Sequence, residues 1–428
     1  MRERLERASP ALFCTYAGLA AFAAYFSMYA FRKPFTAATF DQVAGWPFVL
    51  DYKIALIIAQ VLGYALSKII GIKLISELDP AGRSTTIIGL IVTAWIALLL
   101  FAIVPAPWNV FTLFFNGLAL GLIWGLVFSY VEGRRTSDVI GAMLCATFII
   151  ASGVVKSVGK TLLDSGISAF WMPAATGALF FPLLLIAVVG LSHLPPPSIA
   201  DRNARTARAP MDGAQRGAFF AKHWVALSAL VIAYILITAM RDFRDNFAPE
   251  IWNDLGYKDI ATLFTASELP VAAIALGALG GLMLVRDNLR ALMLVHVVIA
   301  IGAVLIAVST IAQQIGWLNP IAWMILSGAG IYAVYLPFNA MLFDRIIAAT
   351  RDIGTAGFLI YVADSAGYVG SVTLLLIRHF SALTIPWLSF FQMTAYATSG
   401  LCLACVAISA RQFGRLERVS RSSINLGG

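Results

Sequence analysis

Apolar runs long enough to cross a lipid bilayer recur along the whole chain, and this constrains the fold more than any other feature. A helix that spans the hydrocarbon core needs about 20 mostly apolar residues. Such runs fall near 11–36, 51–75, 84–104, 108–131, 138–163 and 171–192, and again near 222–241, 259–284, 289–312, 318–343, 352–377 and 384–410. They make twelve spans, six on each side of one interruption. That interruption, HLPPPSIADRNARTARAPMDGAQRGA, is rich in proline, arginine and small polar residues and reads as a linker. The expected organisation is a six-helix bundle over 1–192, a cytoplasmic linker over 193–221, a second six-helix bundle over 222–410 and a cytoplasmic tail over 411–428.

Composition excludes most alternatives. Only 12% of the 428 residues are charged and the mean hydropathy is +0.85, whereas soluble domains carry about 25% charged residues. The net charge of +8 builds no basic domain, because the cations lie in short segments between apolar runs; no nucleic-acid partner is expected. Cys14, Cys145, Cys402 and Cys405 all fall inside apolar runs, so the CLAC spacing reads as helix filler and no metal or cofactor is expected. The charged stretch from Met1 to Pro10, followed by a long apolar run, does not read as a cleaved signal peptide.

Cation placement predicts orientation. With the N-terminus in the cytoplasm, Arg2, Arg4, Arg7, Lys73, Arg83, Arg134, Arg135, the linker arginines, Arg286, Arg290, Arg345, Arg351 and the tail arginines all fall inside. The opposite face keeps Lys53, Arg241, Arg244, Lys258 and Arg378. The asymmetry fits the positive-inside rule with both termini cytoplasmic, and a bacterial inner membrane is the expected location.

Six spans plus six around a cytoplasmic linker is the gross pattern of a two-bundle secondary transporter. The fourth span, FNGLALGLIWGLVFSYVEGRR, and the tenth, LSGAGIYAVYLPFNAMLFDRI, correspond faintly. In the fourth, Gly117, Gly121 and Gly125 form a small-residue stripe suited to close helix packing.

The segments AAYFSMYAFRKPF in the first span, GYALSKIIG in the second and FNGLALGLIWG in the fourth resemble the major facilitator superfamily, and most closely its organophosphate:phosphate antiporter branch. The superfamily likeness covers nearly the whole chain; the branch likeness is concentrated in the first half. The resemblance implies an all-α polytopic membrane protein of twelve transmembrane helices in two pseudo-two-fold bundles, acting as a monomer on a small solute. It implies that Arg32 binds the substrate phosphate and that Lys68 adds positive charge to the same cavity. The loop motif SELDPAGR would supply gating charges in Glu77, Asp79 and Arg83, and the ends of the fourth and tenth spans would add Glu132, Arg135, Asp344 and Arg345. The sequence departs from the branch in the seventh span. If Asp242-Phe243 is the branch's acidic-aromatic pair, its second phosphate-binding arginine is replaced near Ile237 or Thr238, and Arg241 and Arg244 lie further along. A related bacterial family of the superfamily would share the first-helix motif without the phosphate chemistry.

Charged residues within the spans are the remaining site candidates, since an ionisable group near mid-bilayer costs about 2.5–3.5 kcal/mol on insertion scales. Arg32 and Lys33 sit at the end of the first span, either among headgroups or in a cavity if the helix continues past Pro34. Lys156 and Lys160, four apart, need an anionic partner, a bound anion or solvent. Glu268, just before Pro270, is either a proton carrier or a structural partner for a lysine or for Arg241. Asp364 sits deep in the eleventh span and faces a cavity or pairs between halves. Tyr25, Tyr29 and Tyr361 are the aromatic candidates for a substrate wall, and Asn116 and Asn339 are either pocket residues or helix glue. A cation-rich first half with an anion-bearing second half suits a solute with a negative end. The expected function is secondary active transport of a small polar anion, an organophosphate or related organic anion. The alternatives are a proton-coupled carrier of a non-phosphorylated solute and a non-transporting solute sensor. No HExxH, GxSxG or Walker motif is present, and no enzymatic activity is expected.

Overall fold

The computed structural model describes residues 2–77, 80–132, 134, 137–196, 213–258, 260–350, 356–381 and 385–425. Twelve long helices follow one another: α1 Pro10–Tyr29, α2 Tyr52–Glu77, α3 Arg83–Ile103, α4 Asn109–Ser129, α5 Ser137–Asp164, α6 Met172–Ser192, α7 Gly213–Asn246, α8 Thr262–Met283, α9 Asn288–Gln314, α10 Pro320–Ala340, α11 Ala356–Ser381 and α12 Trp387–Asn425. Among the described residues, eleven are long and apolar enough to cross a membrane. The chain is an all-α polytopic membrane protein.

Helix starts follow local chemistry. The Ser9 hydroxyl accepts from the Leu12 amide ahead of α1, with Pro10 as the first helical residue. The carboxylate of Asp287 caps α9 and the amide oxygen of Asn319 caps α10. The end of α1 differs from expectation. It stops at Tyr29 rather than running to 36, because Pro34 has no N–H to extend the ladder, and a 3₁₀ turn over Pro34–Ala37 takes over. At the linker α7 begins as early as Gly213, within the segment expected to be linker, and at the C-terminus α12 continues to Asn425.

The helices divide into two compact units. The first holds Met1–Thr206 with Asp245–Leu269 and His379–Ser381; the second holds Ala207–Arg244, Pro270–Arg378 and Ala382–Gly428. The division inside α8 falls at Pro270, which cannot donate to the helix ladder. In the first unit α2 and α3 pack on α4, and α1 packs on α5 and α6. The α2–α4 contact is backbone against backbone. A Cβ on Gly117 would stand 2.1 Å from the Gln60 carbonyl oxygen, and one on Gly121 would stand 2.6 Å from Ser67 Cβ. Two of the three glycines in the fourth-span stripe therefore set how closely α2 approaches. In the second unit α9 packs against α10 and α12, and His296 ties α9 to α12 through Nε2 at 2.9 Å from Ser409 Oγ.

Candidate functional site

The first unit builds its site on the broken end of α1. Beyond Tyr29 the backbone leaves the helix, and the carbonyls of Phe31 and Arg32 need other donors. Two buried amides supply them. Asn116 of α4 donates to the Phe31 carbonyl at 3.0 Å, and Gln60 of α2 donates to the Arg32 carbonyl at 3.0 Å. Gln60 also donates to the Asn116 side-chain oxygen at 2.8 Å. Asn116 is helix glue, and the glue fixes the backbone from which Arg32 projects.

The Arg32 guanidinium lies over the Tyr64 ring, 4.1 Å from its centroid. Lys68, one turn along α2, has its ammonium 5.6 Å from the same centroid. The hydroxyls of Tyr25 and Tyr64 are 3.4 Å apart, and the Tyr29 ring meets Tyr25 edge-on. Three of the predicted substrate residues, Arg32, Lys68 and Tyr25, thus gather around one tyrosine that the sequence reading does not single out, and Tyr29 packs on Tyr25. Cation–π stacking fixes the plane of a guanidinium and so presets the directions in which its N–H groups point.

Lys33 and Lys156 belong to a different cluster. Lys33 Nζ lies 2.5 Å from Asp245 Oδ2, and Lys156 Nζ lies 2.6 Å from Asp245 Oδ1. Ser152 also donates to Asp245, and Lys33 donates to Asn246 at 2.9 Å. Close by, Lys53 pairs with Glu250 at 2.5 Å and donates to the Thr36 carbonyl at 3.0 Å. The Lys53 side chain is 1% exposed and that of Glu250 9%, so this is a buried ion pair. Burial pushes the Glu250 pKa above the ordinary glutamate value, although the Lys53 charge opposes the rise. Neither Asp245 nor Glu250 was a sequence candidate. Both sit just past an apolar run, where a charge reads as a headgroup neighbour; the only signal was the short stretch DNFAPEIWND between spans.

Lys160 pairs with Asp164 one turn on, at 2.8 Å. It lines a cavity of about 320 Å³ together with Phe40, Trp252, Asn253, Tyr257 and Phe264. Glu268 lies where α8 meets α5: a Cβ on Gly153 would stand 3.0 Å from Glu268 Cγ.

In the second unit, the Arg241 guanidinium stacks over Tyr335 at 4.0 Å and bonds Asp242 at 2.6 Å. Ser371 donates to the other Asp242 oxygen at 2.7 Å. Asp364 is buried and accepts from Tyr234 at 2.5 Å, and the Tyr234 ring stacks on Tyr335. Arg244 donates to the Met324 carbonyl at 3.0 Å.

Of the gating candidates, Arg83 donates to the Ser129 carbonyl at the end of α4, at 3.0 Å. Arg345 donates to Asn288, at the start of α9, at 2.5 Å. Glu132 is half-buried and Asp344 exposed. Asp79 and Arg135 lie outside the described residues, and Glu77 and Tyr361 are described only as helix positions. Among the described residues no group of three His, Cys, Asp or Glu side chains could hold a metal ion.

Twelve helices arranged in this way are the major facilitator fold, and solved structures with different cargoes share it. A peptide transporter POT in complex with sulfate superposes with a TM-score of 0.63 at 14% identity, covering 94% of this chain and 95% of that one. A bacterial homologue of the human lysosomal transporter Spinster, inward-facing and unoccupied, gives 0.59 at 13% identity, covering 96% and 99%. A D-xylose–proton symporter gives 0.58 at 12% identity, covering 93% and 96%. No curated protein matches the sequence. Within this fold the chain belongs to the family described as "Family of unknown function (DUF5690)", whose model matches residues 34–415.

Proposed function

We propose that this protein is a secondary transporter of a small anionic solute, working by alternating access in a bacterial inner membrane with both termini cytoplasmic. The observation that carries the reading is the Arg32–Tyr64–Lys68 group, in which two cations converge on one tyrosine ring inside a helical bundle. Cations at that depth are costly unless they serve a polar site. The fold supports a carrier, and cation placement supports the orientation. An organophosphate is the favoured solute, because the Arg-Lys and Ser-Lys motifs resemble those through which the antiporter branch binds phosphate. Arg241, one helical turn beyond Ile237, supports the reading by giving the second unit its own arginine on a tyrosine ring. Tyr25 and Tyr29 serve as wall residues, and Glu268 and Asp364 as ion-coupling or salt-bridge groups. Arg83, Glu132, Asp344 and Arg345 act as gating groups at helix ends.

The test is solute-dependent thermal stabilisation of detergent-purified protein. The panel holds phosphate, sugar phosphates, glycerol phosphate, dicarboxylates, amino acids and neutral sugars, run beside Arg32→Ala and Lys68→Ala. A ligand at a hundred times its Kd stabilises by about 2.7 kcal/mol. A phosphate compound that stabilises wild type and neither variant supports the organophosphate reading. Stabilisation by neutral sugars or zwitterions alone overturns it.

A further inference from the structure

Glu250 belongs to none of the proposed solute contacts, and its environment is unusual. It sits on the short helix Ala248–Asp254, buried among Pro249, Ile251 and Trp252 of the same turn. Its Oε1 meets Lys53 Nζ, whereas its Oε2 is buried with no hydrogen-bond partner. A carboxylate oxygen in that state keeps the full cost of its lost hydration. The charged groups acting on the pair are few. Asp51, just ahead of α2, acts on both Glu250 and Lys53, and Lys156 on α5 acts on Lys53. Lys53 has other support: the Thr36 carbonyl at 3.0 Å, and the Phe247 ring with its centroid 5.2 Å from the ammonium. The lysine keeps these contacts, and Oε1 as an acceptor, when the carboxyl is neutral.

We propose that Glu250 is a proton-binding site, taking one proton on Oε2 and thereby exchanging its ion pair with Lys53 for a neutral acid. The balance is simple. One proton from water joins the carboxylate, no covalent bond breaks, and the pair gains one positive charge. Protonation removes the attraction that holds Ala248–Asp254 to the start of α2. For the carrier reading above, on which this use of the site rests, the proton is the coupling ion. The binding itself does not depend on any solute. Burial, which raises the Glu250 pKa, favours the uptake.

The measurement is pH-difference infrared spectroscopy of the full-length protein in liposomes, without solute, on wild type, Glu250→Gln and Asp254→Asn. Asp254 is the exposed acid at the end of the same helix. The expected result is a protonated-carboxyl band that grows as pH falls, is absent in Glu250→Gln and persists in Asp254→Asn. Glu250→Asp serves where Glu250→Gln does not fold, and is expected to shift the band in frequency and midpoint. A band unchanged in Glu250→Gln or in Glu250→Asp overturns the proposal, as does a wild-type protein with no such band. A band that behaves as expected while no solute stabilises the protein leaves the proton site standing and overturns the anion-carrier reading alone.

Discussion

Replacing Asn116 with alanine removes the amide that closes the broken end of α1, and the structure sets the size of the loss. Asn116 donates to the Phe31 and Ala94 carbonyls, each at 3.0 Å, and accepts from Gln60 at 2.8 Å. Ala94 lies within α3 and keeps its helical amide, so little is lost there. Phe31 lies past the last turn of α1, and its carbonyl would be bare; an unsatisfied buried group costs about 1–3 kcal/mol. The lost bond from Gln60 adds about 0.5–1.5 kcal/mol. The expected destabilisation is therefore about 1.5–4.5 kcal/mol. That exceeds the average interhelical hydrogen bond in membrane proteins, about 0.6 kcal/mol with a maximum near 1.7, because the group left behind is irregular backbone and not a side chain that can turn elsewhere. Unfolding by SDS titration in mixed micelles measures the difference. A loss at or below the membrane average of about 0.6 kcal/mol would refute the reasoning, since it would mean that water or another donor reaches the Phe31 carbonyl.

Four further outcomes follow from the same geometry. Gly117→Ala puts a methyl group 2.1 Å from the Gln60 carbonyl and forces α2 from α4; the expected cost is about 1–3 kcal/mol by the same titration, with weaker solute stabilisation because Tyr64 moves with α2. Arg32→Lys keeps the charge but loses the planar stack on Tyr64, and solute stabilisation in the thermal assay is expected to weaken about tenfold in apparent Kd, roughly 1.4 kcal/mol. Lys53→Met leaves the buried Glu250 carboxyl without its partner and is expected to cost about 3–5 kcal/mol at a pH where that carboxyl is ionised, most of it recovered in the double variant with Glu250→Gln; equal losses in the single and double variants would show the pair to be uncoupled. Because the Glu250 pKa is raised on folding, its contribution is fully present below the unfolded value of about 4.3 and is lost as pH rises through the folded value. Wild-type stability should therefore fall relative to Glu250→Gln over that rise, and a difference that does not vary with pH would contradict the shift.

The helices were legible in the sequence because each span must satisfy its own backbone within an apolar run, and length with hydropathy finds such runs directly. The end of α1 was less so. Pro34 stops the helix, but the sequence does not show that Asn116 and Gln60 would cap the freed carbonyls and keep Arg32 inside the bundle. Lys68 was found because it interrupts a run. Tyr64, on which it and Arg32 converge, went unmarked, since a tyrosine in an apolar helix carries no signal until its neighbours are known. For Lys156 the sequence leaves open an anionic partner, a bound anion or solvent, and the structure places Asp245, about ninety residues later, beside it. No periodicity connects the two. Pairing across long sequence separations is what hydropathy and spacing leave out.

That last pairing bears on how the first unit can exist at all. Within residues 2–196 the described acidic side chains are half-buried or exposed, yet Lys33, Lys53 and Lys156 are all buried. Taking an ammonium out of water costs several kcal/mol even after relaxation, and a partner offsets that cost only at short range and with good geometry. The carboxylates that meet this need come from the end of α7, Asp245, and from the segment between α7 and α8, Glu250, and they arrive at 2.5–2.6 Å. The first half of the sequence thus supplies the positions and the later segment supplies the charge. A first bundle made without residues 245–269 would bury three ammonium groups without these two partners, so the lysines would lose their protons or the helices would separate. The compact unit defined by the structure is for this reason not the N-terminal half of the chain, but that half joined to the segment that neutralises it.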